Sequence, residues 1–384
     1  MTSATERRVV VAGAGNMGRK WIATIAGTPG ARVVGILDVD LAAATAAARS
    51  IDSPGVQVRT DVADLADLIA TTGADVVMDA TIPAAHHPVT AIALRSGCAV
   101  IGEKPAAQTV AQALSLCAGA EAYERLVLVS QSRRYNPHVD ALVAHGTVLG
   151  DLGILQTDFY RAPHFGGFRE EMDHPLLLDM AIHPFDTARY VLGAEPVSVF
   201  CRSFNPSWSW YRGDAAAVAT FEMDSGAQYT YNASWCSDGA ETSWNGSWRL
   251  NGTHGTVLWD GESDPVPDVG PQVPPSGHAA DHGAARSGIA GAWDAFLAAL
   301  EAPRVAGPRG HIHENVLSLV MVEAAIASAR AGLPLAIDDL LERARERALA
   351  DETDPVVRER LACWGPVREH LLAAGRAGVA GVLG

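Results

Sequence analysis

Residues 9–18 read Val-Val-Val-Ala-Gly-Ala-Gly-Asn-Met-Gly, and this stretch decides the fold of the chain. The four apolar residues at its start are typical of a strand that is buried on both faces, as in a parallel sheet. Gly13, Gly15 and Gly18 follow as a Gly-x-Gly-x-x-Gly pattern that leads into a helical sequence. A glycine turn between a buried strand and a helix is typical of dinucleotide-binding proteins.

Beyond this turn, apolar strands and helical segments alternate as far as Ser130. The predicted strands are residues 9–12, 32–37, 75–80, 99–102 and 126–130, and the predicted helices are 17–26, 41–49, 89–96 and 107–125. This alternation indicates a doubly wound parallel sheet with right-handed crossovers. We therefore predict an N-terminal Rossmann domain over residues 1–131 that binds NAD.

The pattern changes after Gln131, because predicted strands then follow one another with few helices between them. These strands are residues 153–161, 197–204, 215–222, 227–235, 247–251 and 256–260, and the predicted helices are 134–146, 176–192, 289–300, 314–331, 338–350 and 355–374. Consecutive strands indicate a large, mostly antiparallel sheet. We predict an α/β chain whose C-terminal α+β domain, residues 132–345, binds substrate and supports oligomerisation, followed by a helical tail over 346–384.

Composition excludes several classes of protein. The chain has 384 residues, is 48% hydrophobic and carries a formal net charge of −15, which disfavours nucleic acid as a partner. Its five cysteines are scattered without a Cys-x-x-Cys pair, as in a reduced cytosolic protein. The N-terminus lacks the apolar stretch of a signal peptide, and no uninterrupted apolar run reaches the about 18 to 20 residues of a membrane span. We therefore expect a cytoplasmic protein without a membrane partner.

The glycines and one carboxylate define the expected cofactor site. Gly13 permits the tight turn, Gly15 lets the backbone approach a pyrophosphate, and Gly18 lets helix and strand pack closely. Asp38 ends the second strand about 20 residues later, where a carboxylate accepts hydrogen bonds from the adenosine ribose and repels a 2′-phosphate. Asp40 adds a second negative charge, so NAD is favoured over NADP.

Other residues at the ends of the predicted strands are expected to contact the same cofactor. They are Asn16 and Met17 at the helix start, Thr81, Pro83 and His86 after the third strand, and Glu103 and Lys104 after the fourth. The carboxyl ends of the strands form the ligand-binding edge in such folds.

Catalytic chemistry is expected from Lys104 and from a second polar motif. A lysine in a partly desolvated site can hold a substrate hydroxyl and exchange protons with it. Asp179 and His183 are four residues apart in an apolar helical sequence and so share one helix face, while Asp186 is suited to orient His183. The alternatives are a buried Asp–His bond of purely structural purpose and a metal pair. Because no third ligand is evident and Lys104 would repel a cation, we expect no metal there.

Taken together, these motifs resemble the glucose-fructose oxidoreductase/inositol dehydrogenase (Gfo/Idh/MocA) family over roughly residues 8 to 340. The matching motifs, in order, are Gly13-x-Gly15-x-x-Gly18, Glu103-Lys104-Pro105, Arg134-Tyr135-x-Pro137 and Asp179-x-x-x-His183. The sequence departs from the family at Ala181 and at Asp173-His174-Pro175, where the family often has glycine.

The resemblance implies an NAD-dependent sugar or cyclitol dehydrogenase that moves a hydride between a secondary alcohol and the nicotinamide. It implies that His183 is the general base, that Lys104 holds the reacting oxygen, and that Asp179 fixes the substrate or tunes the other two. It also implies a homodimer or homotetramer formed through the antiparallel sheet. An NAD-dependent glycoside-cleaving enzyme that oxidises its sugar transiently and a non-catalytic NAD-binding regulator remain alternatives.

Two further groups of residues have open interpretations. Arg161 and His164 could bond substrate hydroxyls, and Trp235, Trp244 and Trp248 could face a sugar or serve in sheet packing or a subunit interface. His311-x-His313-Glu314 imitates a metal-binding pattern, although we favour a polar helix start.

Overall fold

The computed structural model of the chain describes residues 6–270, 286–301 and 309–382. Residue contacts divide it into two compact units. The first unit comprises the described parts of Met1–Gln131, Ile289–Val316 and Glu342–Gly384, and the second comprises those of Ser132–Gly288 and Leu317–Leu341. The segment after Glu342 thus packs with the first unit, whereas the functional division at residues 131 and 345 stays a prediction.

Strands and helices are numbered in chain order. The strands are β1 (Arg7–Ala12), β2 (Ala31–Leu37), β3 (Gln57–Arg59), β4 (Val76–Asp79), β5 (Ala99–Glu103), β6 (Val127–Ser130), β7 (Leu152–Tyr160), β8 (Pro196–Phe204), β9 (Ala216–Met223), β10 (Gln228–Ser234), β11 (Ser247–Gly252), β12 (Gly255–Trp259), β13 (Val266–Val269) and β14 (Leu335–Ala336). The helices are α1 (Asn16–Ala26), α2 (Leu41–Arg49), α3 (Leu65–Thr72), α4 (Pro83–Arg95), α5 (Val110–Ala122), α6 (Pro137–Gly146), α7 (Ile182–Leu192), α8 (Gly288–Glu301), α9 (Ile312–Ala331), α10 (Ile337–Asp351), α11 (Pro355–Ala362) and α12 (Val367–Val382).

The first unit contains a six-stranded parallel sheet in the order β3-β2-β1-β4-β5-β6. Residues 9–12 of β1 are fully buried at its centre, which explains their unbroken apolar sequence. The strand order reverses at β1, and ligands of doubly wound sheets bind beside such a reversal. The predicted Rossmann fold is therefore confirmed.

The second unit contains an eight-stranded sheet in the order β13-β12-β11-β7-β10-β9-β8-β14. Only the β7–β10 pair is parallel among its described pairings, so the prediction of a mostly antiparallel sheet is confirmed. The Phe185 ring of α7 packs edge to face against Phe221 of β9 and Tyr231 of β10 in the core.

Several elements differ from the sequence prediction. Strands β3, β13 and β14 have two to four residues and helix α3 has eight, and none of them was predicted, because such short elements show no clear periodic pattern. The predicted helix over 355–374 is wrong as one element, since α11 ends before Gly365-Pro366 and proline cannot continue a helix. The predicted helix over 176–192 begins as a π-helical turn, Leu176–Met180, before α7.

A buried ion pair lies beneath α7 in the second unit. Asp186 accepts hydrogen bonds from Arg134 Nε at 2.7 Å and Nη2 at 2.9 Å, and from Ser318 Oγ at 2.6 Å. Both charged side chains are 2% exposed, so each needs the other. The expectation that Asp186 orients His183 is wrong, because its carboxylate bonds these partners instead.

Among the described residues, one helix, α9, is long and apolar enough to cross a membrane. Within the fold, 78% of its apolar window is buried. Its apolar composition is therefore accounted for by packing inside the protein.

Candidate functional site

The glycine turn after β1 leaves no room for side chains at two of its positions. Gly13 has φ of +95°, and a Cβ there would lie 2.5 Å from the carbonyl oxygen of Ala80. A Cβ on Gly18 would lie 1.9 Å from the carbonyl oxygen of Gly13. Glycine at both positions is thus what lets β1, α1 and the residue after β4 meet.

Gly15 differs from its neighbours, because a Cβ there would meet no atom within 4 Å. It is the N-cap of α1 and is exposed, and no side chain caps the helix. Of the first helical residues, Asn16 is exposed and Met17 is half-buried. The open space therefore lies at the amide end of a helix, where backbone N–H groups and the helix dipole favour an anion such as a pyrophosphate.

Asp38 directly follows β2 and binds the glycine turn. Its Oδ2 accepts a hydrogen bond from the Ala14 amide at 2.5 Å, and its Oδ1 accepts one from the Asp40 amide at 2.9 Å. A carboxylate oxygen has two lone pairs, so each oxygen keeps acceptor capacity for a ribose hydroxyl. Asp40 instead caps α2, accepting from the amides of Ala42 and Ala43.

The residues after β4 form a buried polar network. Asp79 Oδ1 accepts hydrogen bonds from the Thr81 amide at 3.0 Å and its hydroxyl at 2.6 Å. Burial raises the pKa of Asp79, while the charge of His86 and the bonds from Thr81 oppose that rise. His86 is 2% exposed, and its Nδ1 and Nε2 lie 2.6 and 3.1 Å from the carbonyl oxygens of Pro105 and Thr81. With both nitrogens so engaged, we expect His86 to position these backbones, with Pro83 starting α4 beside them.

Glu103 is the last residue of β5, and Lys104 directly follows it. The Glu103 carboxylate accepts a hydrogen bond from Trp21 Nε1 at 2.8 Å, which ties α1 to the end of β5. Burial raises the pKa of Glu103, opposed by that bond and by the charge of Lys104. Lys104 is half-buried, and its peptide bond to Pro105 is cis. Both residues stay candidate cofactor contacts at the carboxyl edge of the parallel sheet.

In the second unit, Asp179 and His183 lie on either side of the junction between the π-helical turn and α7. The turn is closed by a bond from the Ala181 amide to the Leu176 carbonyl at 3.0 Å, one residue wider than in an α-helix. Most residues of this segment are buried, whereas Asp179 and His183 are half-exposed. The family's glycine is replaced here by a fully buried Ala181 with ordinary helical φ and ψ.

Asp179 has a partner that the sequence did not indicate. Its Oδ2 accepts a hydrogen bond from Arg169 Nε at 2.6 Å. The Arg169 guanidinium also lies over the rings of Phe165, at 5.3 Å, and Phe168, at 4.9 Å. A single arginine within an aromatic stretch was the available signal, but the pairing across ten residues does not follow from helical or strand spacing.

The two expected hydroxyl-binding residues are each held by neighbours. Arg161 Nη1 donates to the Thr242 carbonyl at 2.9 Å and lies 3.2 Å from Glu241, and its guanidinium covers the Trp244 ring at 4.8 Å. His164 stacks on Trp210 with ring centroids 3.8 Å apart. Both side chains are thereby fixed in place, and their contact with substrate stays a prediction.

The three tryptophans left open by the sequence have different surroundings. Trp248 is 2% exposed and its Nε1 donates to the Asn245 carbonyl at 2.7 Å, so it is a packing residue. Trp235 is equally buried, and its ring contacts Phe165 edge to face at 5.2 Å. Trp244 is 42% exposed and is the one of the three whose side chain is accessible to solvent.

Comparison with known protein families now identifies the two units. Residues 7–131 match the oxidoreductase family with the NAD-binding Rossmann fold, and residues 138–258 match the GFO/IDH/MocA C-terminal domain. Together the matches cover more than half of the chain. The chain belongs to the GFO/IDH/MocA family of oxidoreductases. As a member of this family it is an NAD-binding oxidoreductase, and the open helix end at Gly15 and the carboxylate of Asp38 fit that cofactor.

Individual proteins similar to this chain add to this result. An uncharacterized protein, y4oX, of Sinorhizobium fredii is 25% identical over 88% of this chain and 98% of its own length. Inositol 2-dehydrogenase 4 of Saccharopolyspora erythraea is 33% identical, but the match covers 51% of this chain and 57% of that enzyme. An oxidoreductase from Agrobacterium radiobacter, crystallised with NAD+, L-tartaric acid and magnesium, has a TM-score of 0.74 and 19% identity over 88% of this chain and all of its own.

The contrast between Gly15 and Gly18 predicts different effects of the same substitution. Gly15→Ala should fold as the wild type does but weaken NAD binding by about tenfold or more, because its methyl group fills the space beside the helix end. Gly18→Ala should lower the free energy of unfolding by about 1–3 kcal/mol, because its methyl group overlaps a carbonyl oxygen. Calorimetric titration with NAD and thermal melting measure both. A Gly15→Ala protein that binds NAD normally would contradict the assignment of this space.

A second pair of variants tests the role of Asp38. Asp38→Asn and Asp40→Asn each remove one negative charge, and asparagine is as good a helix cap as aspartate. We expect the preference for NAD over NADP to fall by about tenfold in Asp38→Asn, and clearly less in Asp40→Asn. The ratio of dissociation constants for the two cofactors measures this. Equal losses in the two variants would mean that overall charge, and not ribose recognition, sets the preference.

Proposed function

We propose that this chain is an NAD-dependent dehydrogenase of a sugar, a sugar derivative or a cyclitol, acting on a secondary alcohol. The observation that carries the proposal is the pair Asp179 and His183, two half-exposed polar side chains in a helical segment that is otherwise mostly buried. Their partial exposure leaves both side chains accessible to a ligand, whereas most of their neighbours are buried. The similarity of half the chain to inositol 2-dehydrogenases supports a polyol as the substrate class.

In this proposal the chain binds the substrate and moves one proton. His183 takes the proton of the substrate hydroxyl on a ring nitrogen, a task suited to a group that titrates near neutral pH. Lys104 donates a hydrogen bond from Nζ to the reacting hydroxyl oxygen and shares the proton of that hydroxyl. When bound, NAD+ would supply the acceptor for the hydride that leaves the alcohol carbon.

Asp179 is proposed to fix the substrate through a second hydroxyl. Arg169 occupies its Oδ2 at 2.6 Å, which restricts the rotation of the carboxylate. A carboxylate accepts several hydrogen bonds, so a bond from a substrate hydroxyl is compatible with the bond from Arg169. Arg161 and His164 are proposed to bond further hydroxyls of the polyol. Trp235 is proposed to support this part of the site through its contact with Phe165.

A polyol panel with matched variants tests this function. We expect NADH formation with myo-inositol, its isomers or a free sugar, and slower reaction with NADP run in parallel. His183→Ala should lower kcat by about 10²- to 10⁴-fold while leaving NAD affinity unchanged, and Lys104→Met should lower kcat similarly, because each removes a proton-transfer partner. His254→Ala, at an exposed turn, is the control. Wild-type turnover in His183→Ala, or glycoside cleavage without net NADH, would contradict the proposal.

We also propose that the chain forms a homodimer or homotetramer through the outer face of the eight-stranded sheet. Large apolar side chains on this face are exposed, including Ile154 at 51%, Phe200 at 41%, Val218 at 45% and Leu258 at 47%. They lie on several strands of one continuous sheet. An exposed apolar face of this kind is typical of an interaction surface.

Charge introduced at the centre of this face should disrupt assembly. Val218→Arg should shift the protein toward monomer in sedimentation velocity, because an arginine would be buried without a partner in the interface. Leu41→Arg, at an exposed position on α2, should leave the oligomer intact. An unchanged oligomer in Val218→Arg would move the interface elsewhere.

A cytoplasmic location completes the proposal. It is supported by the cysteines, of which four are buried and all five are free thiols. Fractionation of cells that express the chain tests this, and recovery outside the cytoplasmic fraction would contradict it.

A further inference from the structure

A cluster of two histidines and a glutamate lies in the first unit, at residues that have been assigned to neither the cofactor nor the substrate. Glu121 lies in the last turn of α5, His313 lies in the first turn of α9, and His370 lies in α12. Glu121 Oε1 is 2.7 Å from His313 Nε2 and 2.7 Å from His370 Nε2. One ligand atom from each of the three residues lies within 4.8 Å of the others.

The sequence favoured a polar helix start at His311-x-His313-Glu314, and the position of this helix start is confirmed. Helix α9 does begin at Ile312, but His311 and His313 are 2% and 0% exposed. Their side chains therefore point into the protein, where a polar group requires a specific partner.

The other oxygen of Glu121 is already satisfied. Its Oε2 accepts hydrogen bonds from Arg360 Nε at 2.7 Å and from Trp364 Nε1 at 3.0 Å. These bonds fix the carboxylate so that Oε1 is the atom directed at both imidazoles. Hydrogen-bonded carboxylates of this kind are typical of metal ligands, whose outer oxygen is held by neighbouring donors.

A second contact orients each histidine side chain. His313 Nδ1 lies 3.3 Å from His311 Nδ1, and the His370 ring stacks on Trp364 with centroids 4.1 Å apart. If His313 binds an ion through Nε2, its hydrogen resides on Nδ1 and can be donated to His311. A ligating histidine usually donates its other N–H in this way.

We propose that Glu121, His313 and His370 bind one divalent transition-metal ion, with zinc as the favoured ion. Two imidazole nitrogens and one carboxylate oxygen are a ligand set that suits zinc, with bonds of about 2.0–2.2 Å. The atoms now separated by 2.7 Å must move apart to ligand spacing, and His370, which is 26% exposed on its helix, is the ligand with room to move. The ion would join α5, α9 and α12 of the first unit.

Arg360 weakens cation binding at this site by electrostatic repulsion. Its positive charge near Glu121 opposes a cation, although its side chain is 42% exposed and solvent therefore screens it. The site should consequently bind zinc less tightly than a site without a neighbouring cation.

Zinc titration of the chelator-treated full-length protein tests the proposal. We expect one Zn²⁺ per chain by calorimetry and a higher melting temperature with Zn²⁺, since an ion that binds the folded state stabilises it. His370→Ala should weaken binding by about tenfold or more and abolish the melting shift, because a ligand is lost. Trp364→Phe removes a hydrogen bond to Glu121 but no ligand, and should still bind Zn²⁺. His254→Ala is the surface control.

A cobalt spectrum of a ligand replacement keeps the test decisive if His370→Ala folds poorly. In His370→Cys the thiolate replaces the imidazole, so Co²⁺ should give a sulfur-to-cobalt charge-transfer band that the wild type lacks. Equal zinc binding by wild type and His370→Ala, or no such band in His370→Cys, would overturn the proposal. The cluster would then be a hydrogen-bonded anchor for the C-terminal helices.

Discussion

A carbonyl oxygen occupies the place that a side chain at residue 18 would need, and much of the first unit follows from this contact. A Cβ added to Gly18 would lie 1.9 Å from the Gly13 carbonyl oxygen, and a Cβ added to Gly13 would lie 2.5 Å from the Ala80 carbonyl oxygen. Because the backbones meet so closely, α1 starts directly above the point where the strand order reverses. The amide end of α1 is then accessible at Gly15, and Asp38 stabilises the turn by accepting a hydrogen bond from the Ala14 amide. One steric constraint thus positions the features that fit NAD.

The elements that sequence reasoning found are those with a strong local pattern. The buried strands β1, β2, β4, β5 and β6 are short apolar runs, and their alternation with helices was sufficient to predict the sheet. Strand β3 was not predicted, because its three residues, Gln57–Arg59, form a half-buried edge strand without an apolar run. The π-helical turn at Leu176–Met180 escaped because helical periodicity cannot distinguish it from an α-helical start.

The candidate site was predictable where a motif is local and not where residues pair over long distances in sequence. The glycine turn, Asp38 and the Asp179-x-x-x-His183 motif can be read from spacing alone. The partners of these residues cannot, as Asp186 with Arg134, Arg169 with Asp179, and Glu121 with His313 and His370 illustrate. Such pairs depend on the tertiary fold, which also turned two histidines of an expected polar helix start into buried ones.

Hydride transfer itself is the claim on which this account of function depends. It can be measured directly by incubating the protein with NAD+ and with myo-inositol or sugars deuterated at their ring carbons, and following the nicotinamide by NMR. The account predicts that deuterium appears in the reduced nicotinamide, one atom for each alcohol oxidised. Reduced cofactor without deuterium, or no oxidation of any polyol, would contradict it.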